Sequence, residues 1–228
     1  MEVLVVGNTA YVDDDFCAKA FPGDHVKVVA AQDTRRDESS PHASWKELLQ
    51  HLEQAYEFDR VVYLSNYLTP HTDTVGDIEL LRSVFRTCAG RRVQLLYVAG
   101  PAGAEGAADA AGRTGKGIIA HAANDLCRYY AAREGVQTKI LRVPFLYTAS
   151  AALEDPFLVP LFDACSTGSA ALQGAQDAAF PLLCAEELSV LMRRIFDSWN
   201  GNFETLDVAD TFHHTVGEVG EALQALFP

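Results

Sequence analysis

The sequence is short of positive charge: 18 Lys and Arg stand against 31 Asp and Glu, a formal net charge of −13 over 228 residues. A surface that acidic repels a phosphate backbone and anionic headgroups, so neither nucleic acid nor a membrane is an expected partner. Paired cysteines are also lacking. Cys17, Cys88, Cys127, Cys165 and Cys184 are widely spaced, odd in number and free of any C-x-x-C pair. That excludes a zinc knuckle or a disulfide framework and makes a reducing cytoplasm the expected compartment. No apolar run approaches the ~20 residues of a membrane span. No basic segment precedes Val3–Val6, so the N-terminus is expected to be a strand and not a signal peptide. What remains is ordinary globular composition, 49% hydrophobic and 21% charged, suited to one α/β domain or a domain with a small appendage.

Along the chain, short apolar runs alternate with helical patterns. Val3–Val6 ends in Gly7 and reads as a buried strand. A short helix is expected around Phe16–Phe21, then a turn at Pro22-Gly23-Asp24 and a second strand over Val26–Ala31. Ser44-Trp45-Lys46-Glu47 has capping-box spacing and opens a helix with Leu48, Leu49, Leu52 and Tyr56 on one stripe. Strands are expected at Arg60–Ser65, Val93–Ala99 and Thr138–Val143, with helices over Ile78–Cys88 and Gly117–Arg133 between them. Beyond Pro144 the pattern is less regular, apart from an amphipathic helix through Leu188, Met192, Ile195 and Trp199. Phe203–Val208 reads as a strand, and Thr215-Val216-Gly217-Glu218 is a second capping box opening a last helix. Strands separated by helices imply parallel pairing through right-handed crossovers. The expected fold is α/β, a Rossmann-like doubly wound parallel sheet with helices on both faces. Residues 1–148 are expected to form the Rossmann-like part, and 149–228 a reduced C-terminal segment that returns a strand and helices to the same unit.

These segments, in this order, resemble the extended short-chain dehydrogenase/reductases, the NAD-dependent epimerase/dehydratase family. Glu2–Gly7 is similar to that family's first strand and Asp59–Ser65 to its fourth. Arg92–Val98 is similar to the strand leading to its catalytic serine, and Leu126–Ala131 with Ile140–Phe145 to its catalytic helix and the strand after it. Leu183–Leu188 is similar to the late segment where a surface helix starts at an acidic pair. The resemblance implies a cofactor turn G-x-x-G-x-x-G after the first strand, whose glycines let the backbone approach a pyrophosphate at a helix N-terminus.

In this chain that turn reads Gly7-Asn8-Thr9-Ala10-Tyr11-Val12-Asp13. Gly7 keeps the first glycine, Ala10 is small, and Asp13 replaces the third glycine, followed by Asp14 and Asp15. Two like charges about 4 Å apart repel by roughly 1 kcal/mol in water, and by more when partly desolvated. Acidic residues in a first helical turn also complement the helix dipole, so the chain is expected to occupy its own anion site. Gly7, Asn8, Thr9 and Ala10 are therefore the candidate cofactor contacts in that turn. Asp33 lies near the position of the family's ribose-binding acid, and Arg35-Arg36 near a 2′-phosphate, although the same stretch also reads as a solvated loop. Ser65-Asn66-Tyr67 follows a strand end, where such folds bind ligands, and reads equally as a turn.

The catalytic set that the resemblance implies is a Ser or Thr, a Tyr, and a Lys four residues after the Tyr. The segment that should carry the hydroxyl is Ala99-Gly100-Pro101-Ala102-Gly103-Ala104. With Asp125 aligned to the family's helix acid, the Lys position falls on His121 and the Tyr position on Gly117; no Tyr lies between Tyr97 and Tyr129. The remaining candidates for acid–base work are His121 with Glu105 or Arg113 from the preceding loop. His213-His214 has no third ligand beside it, and no metal is expected.

The sequence thus points to a degenerate member of the resembled family, a pseudoenzyme acting as a binding or partner subunit. No cofactor is expected. The alternative is an NAD- or NADP-dependent oxidoreductase or epimerase with relocated groups, and a third option is a small-molecule sensor. A homodimer or heterodimer through the helices near 78–88 and 117–133 is the expected assembly, as the resemblance implies.

Overall fold

The computed structural model describes residues 1–7, 9, 11–30, 57–65, 74–100, 115–148, 163, 177, 182–208 and 214–226. In chain order its elements are β1 (Glu2–Gly7), α1 (Asp14–Ala20), β2 (His25–Ala30), β3 (Arg60–Leu64), α2 (Thr74–Cys88), β4 (Gln94–Ala99), α3 (Gly115–Arg133), β5 (Gln137–Arg142), β6 (Phe145–Tyr147), β7 (Leu182–Cys184), α4 (Ala185–Asp197), β8 (Phe203–Asp207) and α5 (Val216–Leu226). Six strands form one sheet in the order β2-β1-β3-β4-β5-β8, and every pairing is parallel. The expected doubly wound sheet is present.

The sheet is covered on both faces, which is why its strands read as unbroken apolar runs rather than alternating ones. Leu4, Val6, Val61, Tyr63, Leu95 and Tyr97 face a layer made by α2 and α3. Val3, Val5, Val62, Leu64, Leu96 and Val98 face the opposite layer, made by α1 and α4. Val3, Val5 and Val6 are fully buried, so β1 is the centre of both cores.

Several boundaries fall outside the expected ranges. Helix α1 begins at Asp14 and α2 at Thr74, each earlier than its apolar stripe, because first turns are polar and carry acids. The parallel pair β6–β7 was not legible, since three-residue strands are too short to display a period. The second capping box is present in full: the Thr215 amide donates to Glu218 Oε2 at 2.9 Å, and the Glu218 amide to Thr215 Oγ1 at 3.2 Å. The Ser44–Glu47 box and its helix lie outside the described residues.

At the end of the sheet where the strands begin, charged and aromatic groups succeed one another. The Arg60 guanidinium lies 5.0 Å from the Phe196 ring, which stacks on Trp199 at 5.4 Å and 16°. Lys139 Nζ lies 5.3 Å from the Trp199 ring and 2.5 Å from Glu204 Oε2. These contacts fasten α4 to β3 and β5, and Phe21 of the α1 turn touches Phe196 at 5.9 Å.

A buried polar pair joins α2 to the sheet. The Tyr63 hydroxyl lies 2.5 Å from Asp77 Oδ1 and 2.8 Å from the Asp77 carbonyl oxygen, both acceptors, and Tyr63 is fully buried. Burial first, and the Asp77 carboxylate second, push this phenol well above its ordinary value. A raised folded-state value leaves stability intact below the unfolded value near 10 and removes it as pH climbs beyond. Urea midpoints of the wild-type protein should therefore fall more steeply over roughly pH 9.5–11 than those of Tyr63→Phe. The Cys127 thiol, also raised by burial, adds a slope of the same sign to both proteins. Parallel slopes would assign the whole alkaline loss elsewhere.

Candidate functional site

Doubly wound sheets bind ligands outside the C-terminal ends of the strands, where the strand order reverses. In this sheet the reversal lies between β1 and β3, at the paired residues Gly7 and Leu64. Gly7 has φ +110°, and a Cβ added there would sit 2.1 Å from the Leu64 carbonyl oxygen. Only glycine fits, because of both the dihedral and the neighbouring strand. That meets the requirement of the first glycine in a dinucleotide turn. The demand, however, comes from β3 itself and is present without any ligand.

The turn then closes with the Val12 amide donating to the Thr9 carbonyl at 2.9 Å. Asp13 follows as the N-cap of α1, extended at φ −116° and ψ −177°. Its Oδ1 accepts the Phe16 amide at 2.7 Å, and its carbonyl accepts the Cys17 amide at 3.0 Å. Of the amides that the first turn leaves without an intrahelical partner, that of Phe16 is thus bonded to a carboxylate of the chain itself. Asp14 and Asp15 occupy the first turn, and Asp15 pairs with Lys19 one turn on. The Cys17 thiol is pushed up by burial and then by Asp14 and Asp13, which marks the local potential as negative. A pyrophosphate needs glycine at the third position and positive potential at this helix end. The residues present supply the close approach at Gly7 and oppose the charge at Asp13.

Of the other candidate cofactor contacts, Thr9 lies in the turn and Ser65 is fully buried at the end of β3, its amide donating to Val98 O at 3.0 Å. Asn8, Ala10, Asp33, Arg35 and Asn66 lie outside the described residues. The same holds for the catalytic candidates Glu105 and Arg113. His121 is half-buried in α3, four residues after Gly117 on the same helix. The Gly7–Leu64 pairing therefore sets Ser65 one residue beyond the position beside Gly7, Thr9 follows in the turn, and neither of the groups expected to act with His121 lies among the described residues.

The tyrosines of the catalytic helix are accounted for by other roles. Tyr130 is buried and stacks on Phe85 at 4.7 Å and 7°. Tyr129 points outward and is 54% exposed. Neither stands at the C-terminal ends of the strands, because both lie in the later half of α3.

A further cluster was not anticipated. The β6–β7 register sets Tyr147 beside Cys184, two short strands beyond the end of β5. The Cys184 thiol donates to the Glu186 carboxylate. Burial, then the neighbouring Cys184 and Glu187, raise the Tyr147 phenol above its ordinary value. Only the acidic pair Glu186-Glu187 had a sequence signal; the thiol and phenol meet through a strand pairing too short to foresee. Among the described residues, no group of three or more His, Cys, Asp or Glu is placed to hold a metal ion.

No protein-family model matches the sequence, and no curated protein is similar to it in sequence. Solved structures are similar in shape. The Bordetella bronchiseptica enzyme WbmF in complex with NAD+ and UDP aligns with a TM-score of 0.69 at 14% identity, over 99% of this chain and 76% of that one. The Thermotoga maritima UDP-glucose 4-epimerase with UDP-glucose aligns with a TM-score of 0.69 at 13% identity, over 99% and 82%. The Bacillus anthracis dTDP-glucose 4,6-dehydratase in complex with NAD gives 0.67 at 12%, over 99% and 80%. The chain has the Rossmann-type fold of the NAD-dependent epimerases and dehydratases. Similarity of shape at identity this low establishes a Rossmann-type fold and leaves chemistry to the residues of the site. Among the described residues, no helix is long and apolar enough to cross a membrane.

Proposed function

We propose that this chain is an epimerase/dehydratase-like protein that has lost dinucleotide binding and acts as a non-catalytic binding or partner subunit. The observation that carries the reading is the Asp13 carboxylate at the N-terminus of α1, bonded to the Phe16 amide. The neighbours with NAD in their structures supply the comparison: their cofactor would require, here, a dianion placed against Asp13, Asp14 and Asp15. Each close like-charge contact costs roughly 1 kcal/mol in water and more away from it. The chemistry is missing at the same time. Residues 99–104 carry no hydroxyl, Gly117 replaces the phenol, and His121 replaces the lysine that would tune it. A subunit of this kind works through its surface, and the outer face of α2 and α3 is the association surface we assign to it.

Calorimetric titration with NAD+, NADH, NADP+ and NADPH tests the reading. We expect no saturable heat at millimolar ligand. A dissociation constant in the micromolar range for any of the four would overturn it in favour of an NAD(P)-dependent oxidoreductase or epimerase with relocated catalytic groups.

A further inference from the structure

Asn200-Gly201 is the one Asn-Gly pair in the sequence, and it lies in the turn 198–202 that joins α4 to β8. The other asparagines, Asn8, Asn66, Asn124 and Asn202, precede Thr9, Tyr67, Asp125 and Phe203. The difference matters because an asparagine side chain can be attacked by the backbone nitrogen of the residue after it. A side chain on that following residue crowds the approach. Glycine has no side chain and the widest choice of backbone angles.

The turn leaves this reaction open. Asn200 and Gly201 are both exposed. Gly201 sits at φ +68°, and a Cβ there would meet nothing within 4 Å. On one side of it the Trp199 amide donates to Phe196 O at 3.4 Å, and on the other Asn202 O accepts the Thr138 amide at 2.9 Å. The Gly201 amide itself donates to no backbone group among the described residues. Asn124, by contrast, is buried in α3, where the helix fixes its backbone.

A cation also faces the reacting group. Lys139, only 4% exposed, directs Nζ to Asn200 Oδ1 at 3.5 Å and to Glu204 Oε2 at 2.5 Å. An ammonium at a carbonyl oxygen draws electron density from the carbon and stabilises the charge that an attack places on that oxygen. We propose that Asn200 is a self-modification site, at which the Gly201 nitrogen closes on the side-chain carbonyl polarised by Lys139 and the residue is converted to aspartate and isoaspartate.

Hydroxide takes the Gly201 N–H proton, and the nitrogen electron pair forms a bond to Asn200 Cγ. The charge passes to Oδ1, where Lys139 meets it. The adduct collapses, the Cγ–Nδ2 bond breaks, and Nδ2 leaves as ammonia with a proton from water, which restores the hydroxide. The product is a cyclic imide, formed quickly because its two reacting groups are already neighbours. Water opens the ring at either carbonyl. Addition at Cγ breaks the new bond and leaves an aspartate. Addition at the main-chain carbonyl leaves isoaspartate, with the backbone routed through Cβ and Cγ. Nothing is oxidised or reduced.

The second product lengthens the connection into β8 by one methylene. Thr138 pairs with Phe203 in the β5–β8 register, and β8 is an edge of the sheet. The isoaspartyl form should therefore exchange the amides of residues 203–207 faster than the unmodified protein does.

The whole protein would be aged for weeks in warm, mildly alkaline buffer and mapped by peptide mass spectrometry, with isoaspartate counted by enzymatic methylation. The peptide containing residue 200 should gain the mass of water less that of ammonia about tenfold faster than a peptide containing any other asparagine. Gly201→Ala should slow that conversion about tenfold. Lys139→Met should slow it about threefold and leave the other asparagines unchanged. Glu204→Gln removes the competing anion and should speed it, which answers the same question if Lys139→Met does not fold. Conversion at residue 200 no faster than elsewhere, or unaffected by Gly201→Ala, would overturn the site. Rates unmoved by Lys139→Met, or by Glu204→Gln, would overturn the part assigned to Lys139.

Discussion

Gly7→Ala should lower the thermal midpoint by roughly 6–12 °C, in buffer without any nucleotide. The methyl group would stand 2.1 Å from the Leu64 carbonyl, on a backbone at φ +110° that alanine adopts only under strain. Relief requires β1 and β3 to separate at the Gly7–Leu64 pair, in the middle of the sheet. A cost of about 3 kcal/mol is in keeping with a strained central position, and each kcal/mol moves the midpoint of a chain this long by about 2–4 °C. The experiment separates two reasons for the same residue. A glycine kept for a cofactor would cost little stability when replaced, whereas a glycine kept for a neighbouring strand costs stability in the absence of every ligand. A midpoint within a degree of wild type would refute the steric account.

Phe196→Ala is expected to cost about 3–5 kcal/mol, the range for removing a buried aromatic ring and leaving a cavity. Phe196 is 3% exposed and touches Phe21, Trp199 and the Arg60 guanidinium. Phe196→Leu should recover most of the packing and none of the cation contact, so it falls between the two. Trp199→Ala alone should cost less, because Trp199 lies at the margin of the core. The double variant should fall short of the sum of the singles, since the two rings stabilise each other through one stacked contact. Chemical denaturation of the four proteins measures this directly. Strict additivity would show that the ring contacts carry nothing beyond buried area.

Most of the sheet was legible because its strands are buried on both faces. Val3–Val6, Arg60–Leu64 and Gln94–Ala99 are apolar without alternation, and helical stripes separate them, which leaves few topologies other than a parallel doubly wound one. The capping box at Thr215 was legible because its two hydrogen bonds are local in sequence. The pair Tyr63–Asp77 was not, because nothing in the local pattern tells a buried strand tyrosine which carboxylate it will meet 14 residues on. The cluster at Tyr147, Cys184 and Glu186 was hidden for a related reason: its members meet through a pairing of two three-residue strands. The candidate site shows both situations. The acidic start of α1 was legible as a complement to the helix dipole, whereas the role of Asp13 as the N-cap bonded to the Phe16 amide came from the structure. The proximity of Gly7 to β3 required the register between strands far apart in the chain.

The strand order has a consequence for how the molecule is made. β1 finds one neighbour in β2, close behind it in the chain, yet its other neighbour, β3, emerges from the ribosome only with residues 60–64. β5 waits still longer, since Lys139 is matched to Glu204, 65 residues later. The nascent chain must therefore hold β5 with one side bare until β8 has left the exit tunnel. Contacts of such long reach make for slow folding, and the bare edge exposes the growing chain to mispairing during that interval.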